Sequence, residues 1–226
     1  AGVSLAIRKL EIKDDLLLIA GDNYFGFHLD DFVVRYRGVP LLAAYDIEDV
    51  REARKFGVVV EKQGRAVEFQ EKPAEPKSTL VSAGCYVLPK DLLGEVVKYA
   101  KKHADNLGGV FEYFLKKGEE VRVWSFREAW FDIGSFKAYL QAHKYLLDGE
   151  KIVDKTALRE DSQLRGSVVI GPHVKLINST VMDSVVLEHT VLEDCVIKNS
   201  VIDKKCELRG LDLDHKIMRE GTQIKI

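Results

Sequence analysis

Residues 180–204, cut into fives, read TVMDS VVLEH TVLED CVIKN SVIDK. Each block has Val second, Leu, Ile or Met third, and polar or charged residues fourth and fifth. Upstream stands a six-residue variant, Val169-Ile170-Gly171-Pro172-His173-Val174. No ordinary sheet explains five consecutive blocks, and helical spacing is absent. Such short periods belong to solenoids, in which each side of a coil is one brief strand and a turn. One aliphatic per side points inward and stacks on the coil below, because a lone side buries too little to hold. The reading for residues 150–226 is a left-handed parallel β-helix, with a right-handed five-residue helix as the alternative. Its expected role is to stiffen or oligomerise the chain. His173 and His189 are candidate bases for an acyl-transfer site, against the plainer reading of histidines solvated in exposed turns.

Upstream of residue 149 the pattern changes. Val3–Leu10 has helical spacing, and Leu16–Ala20 is an unbroken apolar run that fits a strand buried on both faces. Asp31–Tyr36 reads as a short helix, Val39–Tyr45 as a strand, and Glu48–Phe56 as a helix capped by Gly57. Val58–Glu61 and Ala66–Gln70 form a hairpin turning at Gln63-Gly64. Leu80–Leu88 is a strand, Pro89 opens a helix over Lys90–Lys102, Val110–Lys117 is a helix, and Glu120–Phe126 is a strand. Ser135 caps a helix through Leu147, closed by Asp148-Gly149. Strands alternating with helices make residues 1–149 an α/β domain.

Composition narrows the function classes. The chain has 226 residues, 46% hydrophobic and 31% charged, with a net charge of −2. That balance gives no general attraction to nucleic acid. No apolar run suits a membrane span and no secretory leader is visible. Three cysteines, Cys85, Cys195 and Cys206, lack CxxC spacing and sit in apolar stretches. Reduced core thiols in a cytoplasmic protein are expected.

The first strand runs straight into Gly21-Asp22-Asn23. All three residues favour turns, yet ligands in open α/β sheets collect beyond the carboxyl ends of the strands. GDN at 21–23, EKP at 71–73, SAGCYVL at 82–88 and WFDIGSFKAY at 130–139, in that order and with the trailing repeat, resemble sugar-1-phosphate nucleotidylyltransferases. The closest resemblance is to their glucose-1-phosphate thymidylyltransferase-like and mannose-1-phosphate guanylyltransferase-like members. The resemblance covers nearly the whole chain. It implies a Rossmann-like mixed sheet followed by the β-helix, and a reaction of hexose 1-phosphate with a nucleoside triphosphate to give an NDP-hexose and pyrophosphate. It implies Mg²⁺ held by Asp22 and Asp132, Lys72 paired with the sugar phosphate, and Glu71 bonded to sugar hydroxyls. Gly57 and Gly84 would bring backbone close to the sugar, and Gly2 would lie near the nucleobase. Such chemistry needs cations and alignment rather than a general base, because the attacking phosphate is already largely ionised.

One feature of that family is missing from these residues. No glycine-rich loop carrying Arg and Lys is present to cradle the triphosphate; Leu107-Gly108-Gly109 has no basic partners. The expectation is an N-terminally truncated domain that does not turn over alone and whose exposed sheet edge favours a homo-oligomer. A non-catalytic sugar-nucleotide-binding regulatory subunit is the alternative, with a metal-dependent glycosyltransferase or β-helix acyltransferase behind it.

Overall fold

The computed structural model describes residues 2–103 and 107–226. The chain divides into two compact units, residues 1–132 and 133–226.

The first unit is built on a six-stranded mixed sheet. Its strands are β1 (Leu16–Ile19), β3 (Leu41–Asp46), β4 (Gly57–Lys62), β5 (Arg65–Glu71), β6 (Leu80–Leu88) and β7 (Arg122–Phe126). Their spatial order is β1-β6-β3-β7-β5-β4. A separate ribbon pairs β2 (Asn23–Phe25) antiparallel with β8 (Trp130–Asp132). The helices are α1 (Gly2–Lys9), α2 (Leu29–Val33), α3 (Val50–Ala53), α4 (Leu93–Lys102) and α5 (Gly109–Lys116), with a 3₁₀ turn at Lys90–Leu92 ahead of α4. The core on one side gathers Leu42, Val59, Phe69, Leu88, Phe111 and Phe114. Another cluster gathers Phe27, Phe32, Leu41, Ala83, Cys85 and Phe126.

Two expectations are corrected. Leu16–Ile19 is not a strand buried on both faces. Among the described residues it is an edge strand paired antiparallel with β6 alone, and Leu17 and Ile19 are 38% and 44% exposed. A continuous apolar run reports hydrophobicity, not the number of neighbours covering it. Gly57 is not a helix cap either: α3 ends at Ala53 and Gly57 opens β4. The hairpin turns as read, with Gln63 and Gly64 at φ 55° and 75°, the pair of left-handed residues a two-residue turn requires.

The second unit joins α6 (Phe136–Leu147) to a parallel β-solenoid. Ser135 caps α6 by accepting from the Ala138 N–H at 3.2 Å, and Asp148 ends it in the left-handed region. The solenoid has three faces. One stacks Leu158–Glu160, Lys175–Ile177, Val191–Glu193, Glu207–Arg209 and Gln223–Lys225. A second stacks Gln163–Arg165, Thr180–Met182, Val196–Lys198 and Asp212–Asp214. The third stacks Lys151–Val153, Val168–Ile170, Val185–Val186, Val201–Ile202 and Ile217–Met218. This three-faced coil fits the left-handed parallel β-helix.

The strict period of five is an approximation. Leu176, Leu192, Leu208 and Ile224 lie in register, sixteen residues apart. Sides of five, six and five residues close each coil, so Thr190 is a corner residue, and Leu192 rather than Val191 fills the core. Corner hydroxyls satisfy backbone between coils. Ser179, Ser184 and Ser200 are buried and accept the N–H of Cys195, Ser200 and Lys216, each at 3.0 Å. The turns place Asn178, Asp183, Asp194 and Asn199 at positive φ, which their short polar side chains tolerate. His173 and His189 occupy equivalent turns, with rings stacked 4.9 Å apart. All three cysteines are free and buried, and burial pushes the Cys85 thiol up to about 12.

Candidate active site

The site begins where β1 ends. Ala20 still donates to the Gly84 carbonyl of β6 at 2.8 Å, and the chain then turns through Gly21-Asp22 into β2. The β2–β8 register sets Asn23 directly opposite Asp132. Opposite residues of an antiparallel pair put their side chains on one face. The Asn23 Nδ2 therefore reaches both acidic residues, Asp22 Oδ1 at 2.9 Å and Asp132 Oδ1 at 3.4 Å. The Trp130 indole Nε1–H donates to Asn23 Oδ1 at 2.7 Å. Two carboxylates 110 positions apart in sequence thus share one donor.

Their electrostatics follow from that proximity. Burial pushes the Asp132 carboxyl up, and the Asp22 charge pushes it further, while the Asn23 hydrogen bond and the Lys72 charge pull it down. Lys72 sits just past β5 with φ 43°, held there as its N–H donates to the Phe56 carbonyl at 3.0 Å. Its charge is also felt by Glu71, which burial pushes up and Glu112 raises further. The Lys72 charge thus acts on both Asp132 and Glu71, while Asp22 acts on Asp132.

The glycines divide. A Cβ on Gly57 would strike the Phe69 ring and stand 3.2 Å from Glu71 Oε2. Gly84 has φ +79°, and a Cβ there would lie 2.9 Å from the Ala20 Cβ beneath the Asp22 turn. It also sits where the β3–β6 register shifts between Leu42 and Ala44, so the glycine forms the irregularity that lets the turn approach. A Cβ on Gly2 would meet nothing within 4 Å, so no close approach requires glycine there.

Three contributors escaped the sequence reading. Asn23 stands in the GDN motif, where turn preference and a ligand site compete and no role falls to it. Trp130 stands in the 130–139 motif with no role of its own there. Gly108 was set aside, yet a Cβ there would fall against the Glu71 carboxylate. A Gly-Gly pair opening a helix was the available signal.

A cleft of about 520 Å³ between β5 and α5 is walled in part by Glu68, Glu71 and Glu112. Lys116 lines it too and pairs with Glu112, and Lys77 pairs with Glu68 at 2.7 Å. Among the described residues no set of three or more His, Cys, Asp or Glu converges. A cation here would have two carboxylate ligands and draw the rest from water and phosphate, the habit of Mg²⁺. The residues fit such an ion, since the like charges of exposed Asp22 and half-buried Asp132 are relieved by a cation between them.

Asp22 lies just beyond the end of β1, where open α/β sheets gather their ligands, and Asp132 closes β8 beside it. The chain belongs to the nucleotidyl transferase family, whose sequence model matches residues 1–149. The Bifunctional protein GlmU of Methanocaldococcus jannaschii is 31% identical over 172 residues, covering 75% of this chain and 40% of that protein. The chain thus spans 40% of the length of this curated relative. A Bacillus anthracis structure assigned as a glucose-1-phosphate thymidylyltransferase, in complex with sucrose, shares the fold. Its TM-score is 0.54 at 20% identity, over 62% of this chain and 57% of that one. No helix among the described residues is long and apolar enough to cross a membrane.

Proposed function

We propose that residues 1–149 carry the metal-binding and sugar-phosphate-binding half of a sugar-1-phosphate nucleotidylyltransferase, with residues 150–226 as a β-helix domain. In the reaction, a phosphate oxygen of a hexose 1-phosphate attacks the α-phosphorus of a nucleoside triphosphate. A new P–O bond forms, the α–β bridge breaks, and pyrophosphate leaves with the bridging oxygen. Asp22 and Asp132 would hold Mg²⁺, which when bound offsets phosphate charge. Lys72 holds the sugar phosphate as a point charge. Glu71 accepts from sugar hydroxyls, Gly57 and Gly108 keep the space beside it clear of side chains, and Gly84 does so beside Ala20 and Asn23. Gly2 stays in this reading only as a nucleobase neighbour. The observation that carries the proposal is the sharing of one amide donor by Asp22 and Asp132, with Lys72 acting on the same carboxylate.

No glycine-rich basic loop occurs in these 226 residues. A second reading is a non-catalytic subunit that binds hexose phosphate or NDP-sugar without turnover. We propose that this chain by itself binds and does not turn over, in a cytoplasmic homo-oligomer. Titration calorimetry with glucose 1-phosphate or an NDP-glucose in the presence of Mg²⁺ should give binding that Lys72→Ala weakens by about tenfold. A coupled pyrophosphate assay with each nucleoside triphosphate should stay at background. Pyrophosphate release would establish full catalysis, and no binding of either ligand would remove both readings.

A further inference from the structure

Asn23 raises a question that the carboxylates alone do not. Asp22 and Asp132 repel each other, and nothing in a strand–turn or an antiparallel register obliges two acidic side chains to point the same way. The indole of Trp130 can only donate a hydrogen bond. The amide atom 2.7 Å from its Nε1 must therefore be the oxygen, which turns the nitrogen toward the carboxylates. That nitrogen has two hydrogens, and the two carboxylates take them at 2.9 and 3.4 Å. Trp130 is itself held by ring contacts to Tyr45 and Phe56 at 5.5 and 5.4 Å, so the donor comes from packed aromatic core.

We infer that Asn23, oriented by Trp130, is a positioning residue that holds Asp22 and Asp132 convergent for a divalent cation. This rests on the metal reading of that pair. The amide places partial positive charge between the carboxylates before any ion arrives, which lowers the cost of assembling the site. It touches the ligands and is not a ligand. Outer partners of this kind commonly change metal affinity by about 10–100-fold when removed. The indole N–H stands one step further out, and its loss is expected to let the amide turn over and withdraw its donors.

The test uses Mn²⁺ as the probe and electron paramagnetic resonance of the free ion as the readout, on the full chain. Wild type should bind Mn²⁺, and Asp132→Asn should abolish that binding. Asn23→Leu should weaken it by about 10–100-fold. Trp130→Phe, which keeps the aromatic packing, should weaken it by about fivefold, the size of one ordinary hydrogen bond. The double variant should match Asn23→Leu alone, because the indole acts only through the amide. Unchanged affinity in Asn23→Leu overturns the inference while leaving the metal pair intact. Unchanged affinity in Trp130→Phe, or additive effects in the double variant, overturns the orienting step. If Asn23→Leu fails to fold, Trp130→Phe still decides. Absence of Mn²⁺ binding in wild type, or its persistence in Asp132→Asn, removes the metal reading itself.

Discussion

At the scale of single residues, Glu71 shows how a site opposes stability. Burial pushes its carboxyl above the ordinary 4.5, Glu112 adds to this, and Lys72 only partly opposes it. A carboxyl with a raised folded value takes up its proton more readily folded than unfolded. Ionised Glu71 therefore costs stability above its folded value, and that cost fades as the pH falls toward 4.5. Glu71→Gln should raise the calorimetric Tm near neutral pH and not near ~pH 4, while hexose 1-phosphate affinity falls by about tenfold. A variant no more stable than wild type at neutral pH would show that solvent already screens the charge. Gly84 makes the converse case. Its φ of +79° and the 2.9 Å gap to the Ala20 Cβ make Gly84→Ala strained twice over. A loss of about 1–3 kcal/mol is expected from urea unfolding. The motifs marked Asp22, Lys72, Glu71 and Asp132 as candidates in the sequence. The donor role of Asn23 was hidden, because it depends on which residue of β8 lies opposite.

Among the elements, the solenoid is where side-chain chemistry and backbone satisfaction meet. Ile197 is fully buried and stacks between Val181 and Leu213 in register. Ile197→Ala should cost about 2–5 kcal/mol. Ser200 is also fully buried, accepts from the Lys216 N–H and donates to the Lys198 carbonyl. Ser200→Ala leaves that N–H without its acceptor and should cost about 1–3 kcal/mol. Both are read from denaturant midpoints, and a neutral Ser200→Ala would mean that water replaces the hydroxyl. The repeat was legible because one buried aliphatic per side is a rule written into every coil. The sixth residue on one side was less so, since a corner Thr and a strand Thr look alike in sequence. In the same unit α6 lies against the coil through named contacts. The His143 Nε2 is 2.9 Å from the Ser167 carbonyl, and Lys144 reaches Asp183 at 3.2 Å and Asn199 at 2.8 Å. Only Ser135 and the Asp148-Gly149 stop announced this helix; its partners lie 24 to 55 residues further on.

For the whole molecule, the edge of β1 that is unpaired among the described residues carries a prediction. Its exposed Leu17 and Ile19 and open backbone edge favour pairing with another strand. Light scattering should report self-association that Ile19→Lys weakens, and a monomer at high concentration would count against it. The α/β grammar of residues 1–149, the coiled repeat after it and the four motifs with their acidic and basic residues were all determined by the sequence alone. Each follows from a local rule of periodicity, turn preference or charge, and local rules can be read along a chain. Tertiary structure alone decided that Leu16–Ile19 is an edge, that Gly57 and Gly108 close on Glu71, and that one amide joins Asp22 to Asp132. Those facts depend on which distant segments become neighbours. That is set by the packing of the whole sheet, which no short window of sequence contains.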